Sequence, residues 1–256
     1  MAPRRMLRDE VVRRGLLLPG EDVGAVLSAN RVRVNGAVVA NGNSMVAPGD
    51  AISVIAPPAR FVSRGGLKLD GALELFGIDA RGRCAIDAGA STGGFTDCLL
   101  QRNARHVIAV DVGRAQIHQK LLADDRVTSW ESTNITSLAA DRLASVEGYA
   151  GGAGLVVADL SFVSLASIVP ALVSLASPGG DLVLMVKPQF EAPRDAVPEG
   201  GVVVDPEVQT QAVAAVTRAL EAEGCDVRGT CESPITGTEG NREFFVWAIR
   251  DAHTHG

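Results

Sequence analysis

A run of small residues, Ala88-Gly89-Ala90-Ser91-Thr92-Gly93-Gly94, separates two apolar patterns and constrains how the chain folds around it. Before it, Ala85 and Ile86 end a short apolar run that reads as a buried strand. After it, Phe95, Leu99 and Leu100 recur at helical spacing. A strand, a tight glycine turn and a helix start make a ligand cradle. Glycine lets the backbone approach a ligand, and the first helical N–H groups have no partner within the helix. The spacing is not the dinucleotide fingerprint, which sets G-x-G-x-x-G directly after the strand to seat a pyrophosphate. Here Asp87 stands at the strand end. Its charge repels phosphate and suits a cation, such as the amino group of an amino-acid-like cofactor. That combination points to S-adenosylmethionine, with Gly89, Ala90, Ser91, Gly93, Phe95 and Thr96 as cradle residues. An ordinary strand–turn–helix corner is the alternative for this stretch taken alone.

From residue 60 onward, strand and helix patterns alternate. Strands are expected at 83–87, 106–111, 127–131, 154–159, 181–187, 226–232 and 243–249, with helices notably at 162–176 and 206–223. Pro206 near the first turn and Gly224 past the end punctuate the latter helix. Such alternation means a mostly parallel, doubly wound sheet. The loop 233–242 has no helical pattern, so the last two strands are expected to be antiparallel neighbours. Seven strands ending in a reversed one is the plan of S-adenosylmethionine-dependent methyltransferases. Residues 154–177 are apolar and long enough to span a bilayer, but they contain Asp159 and Pro170. A mid-span carboxylate costs about 2.5–3.5 kcal/mol on insertion scales. The stretch reads as core, and no membrane partner is expected.

The first sixty residues differ in kind. Helical patterns at 5–14 (Leu7, Val11, Val12) and 22–29 (Val23, Val26, Leu27) precede Val32-Arg33-Val34, an Asn35-Gly36 turn and Val38-Val39, a hairpin with the preferred turn chemistry. Pro48-Gly49-Asp50 leads into Ile52-Ser53-Val54-Ile55, and Pro57-Pro58 makes a stiff joint. So small a unit buries little core alone and reads as an accessory module. Residues 1–60 carry eight Arg against five acidic residues, while the net charge of the whole chain is −6. A basic segment on an acidic body suggests a local anionic partner. Cys84, Cys98, Cys225 and Cys231, with the histidines at 106, 118, 253 and 255, form no zinc spacing. No metal is expected, and Cys84 and Cys98 read as core. His253 and His255 read as part of a polar tail. With no apolar core of signal-peptide length behind the N-terminal arginines, a cytoplasmic protein is expected.

Ligands of open α/β sheets sit outside the carboxyl ends of the strands. Asp111, followed by Val112, ends the second strand and is placed to accept from a ribose diol. Thr133 and Asn134 follow the third strand and face an adenine. Asp159 ends the fourth and Lys187 the fifth, just before Pro188, which keeps Lys187 extended. A lone lysine of this kind is often a solvated strand terminus. Several ionisable groups converging on one crevice point to a site.

These residues carry a family resemblance. The sequence resembles the TlyA family of ribosomal RNA 2′-O-methyltransferases, whose members are also called haemolysins, and its larger part is similar to FtsJ-type ribose methyltransferases. The shared motifs run from Val62-Ser63-Arg64-Gly65-Gly66-Leu67-Lys68-Leu69 through 87–96. They continue with Ala158-Asp159-Leu160-Ser161-Phe162 and Val186-Lys187-Pro188-Gln189-Phe190-Glu191, and end at Asn241-Arg242-Glu243-Phe244-Phe245. The resemblance implies a Rossmann-like class I methyltransferase with a seven-stranded sheet at 63–250 and a tail at 251–256. It further implies a small α+β S4-like RNA-binding module at 1–58, joined by a linker at 59–62. It also implies a Lys-Asp-Lys-Glu tetrad on Lys68, Asp159, Lys187 and Glu243. The substrate implied is ribosomal RNA within ribosomal subunits, at cytidines of the small subunit, the large subunit or both. A 2′-hydroxyl is a weak nucleophile, so a lysine flanked by Lys68 and partly desolvated would accept its proton. That role falls to Lys187, with Asp159 orienting it and Lys68 and Glu243 placing the ribose. RNA contacts are expected from Arg4, Arg5, Arg13, Arg14, Arg31 and Arg33, with Arg64 beside the crevice. The module departs from the family pattern at Met6, Arg8, Glu21, Asp22 and Asn30. A membrane-active haemolysin and a non-catalytic RNA-binding or assembly factor are the competing readings.

Overall fold

Apolar strands form a seven-stranded sheet with a hydrophobic cluster packed on each face. A computed structural model describes residues 3–138 and 140–252; His253 and His255 lie outside the described residues. The chain divides into two compact units, Met1–Ala59 and Arg60–Gly256.

The first unit contains β1 (Arg5–Met6), α1 (Leu7–Arg13), α2 (Val23–Ser28), β2 (Val32–Val34), β3 (Ala37–Val38), β4 (Met45–Val46) and β5 (Ile52–Val54). β2 and β3 pair Arg33 with Val38 and Val34 with Ala37, leaving Asn35 and Gly36 as a two-residue loop. Both have positive φ, +50° and +86°. That is the type I′ geometry whose twist matches the strands. β5 adds to the other side of β2. The helix expected from residue 5 starts later, because Arg5 and Met6 pair with Val46 and Met45 as a two-stranded ribbon. Leu7, Val11, Val26, Leu27, Val32 and Val46 form the small core.

The second unit contains α3 (Gly65–Phe76), β6 (Cys84–Ala88), α4 (Gly94–Gln101), β7 (His106–Val110), α5 (Gln119–Leu122), β8 (Val127–Trp130), α6 (Ala140–Ala144), β9 (Ala153–Ala158), α7 (Leu165–Leu175), β10 (Ala176–Val186), α8 (Pro188–Glu191), α9 (Pro206–Ala222), β11 (Cys225–Glu232) and β12 (Phe244–Arg250). The sheet order is β11-β12-β10-β9-β6-β7-β8. β12 is antiparallel to both of its neighbours, while β10, β9, β6, β7 and β8 are parallel. Strand side chains alternate between two buried faces, as a parallel sheet covered on both sides requires. Ile86, Ile108, Val156 and Leu184 meet α7 and α9 on one face. Ala85, Val107, Leu155 and Val183 meet α3 and α4 on the other. The apolar stretch 154–177 divides into β9 and α7, and no helix among the described residues is long and apolar enough to cross a membrane.

Three elements differ from the sequence expectation. β10 begins at Ala176 rather than 181, with a break in register between Ala176 and Asp181. α3 was not legible because Gly65, Gly66 and Gly71 dilute its helical pattern, each costing about 1 kcal/mol of helix propensity. Residues 60–62, expected as linker, are built into the second unit. The Arg60 guanidinium pairs with Asp70, Gln101 Nε2 donates to the Arg60 carbonyl at 2.8 Å, and Val62 N donates to Asp97 Oδ2 at 2.9 Å. Phe61 is only 4% exposed and packs in the core beneath α3 and α4. Replacing it with alanine (Phe61→Ala) should therefore lower the unfolding free energy by roughly 3–5 kcal/mol, the cost of emptying an aromatic core site. Urea denaturation of the full chain measures this, and a loss below 1 kcal/mol would return these residues to the status of a linker.

Candidate active site

The turn after β6 is shaped by its close approach to β9. A Cβ on Gly89 would lie 2.5 Å from the Asp159 carbonyl oxygen, and φ there is +84°, so glycine alone fits. Gly89 N and Ala90 N both donate to the Val110 carbonyl, binding the turn to β7. Ser91 takes φ +46°, and Gly93 opens α4 with φ +93°. Asp111 then locks the cradle. Its Oδ2 accepts from Ser91 N at 2.8 Å and its Oδ1 from Gly113 N at 2.6 Å. Each oxygen keeps a lone pair for a ligand. Asp111, Val112, Thr133 and Asn134 line one cavity of about 470 Å³. Asn134 itself is braced through its Oδ1, which accepts from Thr136 N and Thr136 Oγ1.

Asp87 sits differently from the expectation. β6 extends to Ala88, so Asp87 lies one residue inside the strand, fully buried and off the cavity wall. Thr96 Oγ1, also buried, donates to its Oδ2 at 2.7 Å, and its Oδ1 has no hydrogen-bond partner. Burial pushes the Asp87 carboxyl up to about 7; the Thr96 hydrogen bond opposes this, and the charges of Asp159 and Asp111 add to it. The region is thus short of positive charge. A cationic ligand fits such a site, and a pyrophosphate does not.

A second cavity, of about 810 Å³, is lined by Arg64, Lys68, Phe95, Asp159, Lys187 and Glu243 among others. Gly89, Ser91, Asp159, Ser161 and Phe162 line both cavities, so the two meet along that edge. The four tetrad side chains come together as two ion pairs. Lys68, on α3, places Nζ 2.5 Å from Glu243 Oε2, with side chains 9% and 4% exposed. Lys187 places Nζ 2.6 Å from Asp159 Oδ1 and donates to Ser161 Oγ at 2.8 Å. Each tetrad lysine is matched to a carboxylate, and both lysines line this cavity. The sheet explains the convergence. Because β12 runs antiparallel and pairs Phe244 with Val186, its first end lies where the parallel strands finish, beside Lys187. Lys187 is extended at φ −112° and ψ 105°, as the following Pro188 requires.

Several residues of this wall carried no sequence signal of their own beyond lying inside the motifs. Glu191 caps α7 from across the site: its carboxylate accepts from Ser164 Oγ at 2.8 Å, from Leu165 N, and from Ala166 N at 3.3 Å. Phe162 is 92% exposed with φ +66° and lies 5.4 Å from the Phe190 ring. A bulky residue is costly to hold in that conformation and in water. Asn241 ties two rim loops by accepting from Val203 N and donating to the Gly201 carbonyl, both at 2.9 Å.

The arginines expected to meet RNA divide into two groups. Arg13 and Arg14 both hydrogen-bond Glu10, which they hold down at about 2, and Arg14 also donates to the Pro48 and Asp50 carbonyls. Arg31, 13% exposed, is bound by Glu21 and the Ile55 carbonyl, so the hairpin does not present it. Arg5 stands 3.9 Å from Glu10. Arg4 and Arg33 are exposed and make no hydrogen bond or ion pair among the described residues. Arg64 lines the larger cavity and donates to the Thr236 carbonyl. The departures from the family pattern have local reasons. Glu21 serves Arg31, Asp22 caps α2 through Ala25 N, and Asn30 takes φ +57°.

Comparison with known proteins adds to this geometry. Residues 61–250 match the family described as FtsJ-like methyltransferase. The chain is 44% identical over 248 residues, 96% of its length and 90% of the other's, to the 16S/23S rRNA (cytidine-2′-O)-methyltransferase TlyA of Mycobacterium tuberculosis. A solved structure from Streptococcus thermophilus, named a hemolysin, is 35% identical and superposes with a TM-score of 0.71 over 98% of this chain and 90% of that one. An S-adenosylmethionine-dependent methyltransferase from Mesorhizobium loti shares the fold at 17% identity, with a TM-score of 0.51 over 70% of this chain and 96% of that one.

The buried carboxylate makes stability without ligand depend on pH. Asp87 has a raised pKa in the folded state, so between about 4 and 7 the folded chain binds more protons than the unfolded one. Stability therefore falls as pH rises through that window, by about 4 kcal/mol at most from this group. Asp87→Asn should remove this component. Urea denaturation of both proteins at pH 5 and pH 7.5 gives the difference, and equal pH slopes would show that Asp87 stays ionised throughout.

Proposed function

The chain belongs to the FtsJ-like methyltransferases and to the TlyA family, and on that premise we propose that it transfers a methyl group from S-adenosylmethionine to a cytidine ribose 2′-oxygen of ribosomal RNA. The observation that carries this reading is the pair of ion pairs, Lys68–Glu243 and Lys187–Asp159, facing one cavity beside the glycine cradle. S-adenosylmethionine, when bound, supplies a methyl group on a cationic sulfur. Asp111 would accept from its ribose diol, Val112 and Asn134 would flank its adenine, and Gly89, Ala90 and Ser91 would give its amino-acid end close backbone contact. Asp87 and Asp159 set a negative potential that favours its positive charge.

The nucleophile needs help because a 2′-hydroxyl holds its proton at neutral pH. Lys187 Nζ takes up that proton, and Asp159 stabilises the positive charge that it carries. Lys68, held by Glu243, positions the ribose. Alignment of the hydroxyl for attack supplies much of the remaining rate. Phe162 offers its exposed ring at the rim, a surface on which an unstacked base can rest. The first unit acts as an S4-like module that draws in RNA phosphates through Arg4, Arg5, Arg13 and Arg33, offsetting the acidic remainder of the chain. A cytoplasmic location goes with this reading, since ribosomal subunits are its substrate.

Lys187→Ala should abolish methyl transfer and leave S-adenosylmethionine affinity within about twofold, since the lysine acts on the acceptor. Tritiated-methyl transfer to isolated ribosomal subunits, calorimetry with the cofactor, and mass-spectrometric mapping of ribose methylation decide this. Substantial turnover by the variant would remove Lys187 from the mechanism. Arg33→Ala should lower the salt slope of subunit binding by about one, as one phosphate contact predicts. An unchanged slope would show that the hairpin does not touch RNA.

A further inference from the structure

The loop after β7 leaves one polar side chain of the cradle without a partner. Gln116 lines the same cavity as Asp111, Val112 and Asn134. Its amide makes no hydrogen bond among the described residues. The backbone on either side fixes where it stands. Ala115 takes φ +51°, which turns the chain back on itself, and Ile117 is buried. His118 N donates to the Thr92 carbonyl at 3.1 Å, and the Gly113 carbonyl accepts from Ser132 N at 3.0 Å. The loop is thus fastened before and after Gln116, the support that a binding group needs to keep its geometry.

Gly113 measures the separation between this amide and Asp111. A Cβ on Gly113 would lie 2.4 Å from Gln116 Nε2 and 3.0 Å from Asp111 Oδ1. Laid end to end, 2.4 and 3.0 Å put the two atoms at most about 5.4 Å apart, and no hydrogen bond joins them. A single oxygen atom spans such a separation, since it lies about 2.7–3.0 Å from each hydrogen-bond partner. The two ends differ in kind. The carboxylate oxygen only accepts, and the amide nitrogen only donates. A bridging atom must therefore donate toward Asp111 and accept from Gln116. A hydroxyl does both, whereas an ammonium only donates and a carbonyl only accepts. We propose that Gln116 is a specificity-determining residue of the cofactor site, whose Nε2 donates to the ribose hydroxyl that in turn donates to Asp111 Oδ1. This rests on the reading that the ribose diol of S-adenosylmethionine meets Asp111.

The arrangement makes the two hydroxyls of the diol unequal. One meets Asp111 Oδ1 and the Gln116 amide together. The other meets Asp111 Oδ2, which Ser91 N holds at 2.8 Å, and has no side-chain donor of this kind. A nucleoside that lacks the first hydroxyl leaves a donor and an acceptor facing each other without a bridge. A site built to bond a hydroxyl discriminates strongly against the analogue that lacks it. Gln116 is exposed, so its replacement leaves the core intact.

Calorimetry on the full chain with S-adenosylhomocysteine, the demethylated cofactor, and with its 2′-deoxy and 3′-deoxy analogues tests the assignment. Gln116→Ala should weaken S-adenosylhomocysteine binding roughly three- to tenfold, the share of one hydrogen bond. Gln116→Glu keeps the size of the side chain but loses the donor and sets a second carboxylate beside Asp111, so it should lose at least as much. With one of the two deoxy analogues the effect of Gln116→Ala should shrink to less than about twofold, because the hydroxyl it serves is gone; with the other analogue it should persist. An unchanged Kd in Gln116→Ala, full affinity in Gln116→Glu, or the same loss with both analogues would each overturn the proposal. The wild-type protein separates the two failures. If it does not bind S-adenosylhomocysteine, or binds it and both analogues equally, the reading of the cofactor site falls. If it discriminates among them and Gln116→Ala discriminates just as well, only the role of Gln116 falls.

Discussion

The ladder between β10 and β12 is the constraint on which the site depends. It pairs Val186 with Phe244, and so it brings Glu243 to the edge where Lys187 leaves the sheet. A strand running the other way in that place would carry Arg250 to this edge and leave Lys68 unmatched. Lys68 and Glu243 are both nearly buried. Removing one partner of such a pair strands the other charge out of water, at a cost of about 3–5 kcal/mol. The geometry of the sheet and the ionisation of the tetrad are therefore one problem, solved by the position of a single reversed strand.

Charge around the cradle is balanced on one side only. Both tetrad lysines are matched by carboxylates, while Asp87 and Asp111 make no ion pair among the described residues. Asp111 is satisfied by two backbone N–H groups, which leaves Asp87 as the strained member, with one buried oxygen lacking a partner. A protein that keeps such a group gives up stability in its empty state and gains selectivity for a cation. The same arrangement is unfavourable to phosphate, the group that the glycine-rich turn of the dinucleotide folds receives.

In the first unit, the charge count overstated what faces a partner. Glu10 gathers Arg13 and Arg14, and Glu21 holds Arg31. These contacts fasten the helices to the loops of a unit whose apolar core is small. Arginines read from composition as a basic surface are therefore partly internal structure, and the cations left to act outward are fewer and more local. Residues 60–62 make a similar point: a short segment after two prolines reads as linker, yet Phe61 is a core side chain.

Much of the second unit was legible from the chain itself. Strand and helix spans, the antiparallel last pair and the glycine turn are carried by periodicity and punctuation, which are properties of neighbours in sequence, whereas the tetrad is what the family resemblance implies. The Asn35-Gly36 hairpin was legible for the same reason, since two adjacent residues specify its geometry. What only the tertiary structure decided is who meets whom. Lys68 bonds Glu243 across 175 positions, Lys187 finds Ser161 across 26, and Glu191 caps a helix that begins 26 residues before it. The burial of Asp87 and the internal capture of Arg31 likewise depend on packing from distant segments. Local patterns set which residues stand at the strand ends, but ionisation and hydrogen bonding depend on the partners and the water that remain there, and those are fixed only when the sheet closes its register.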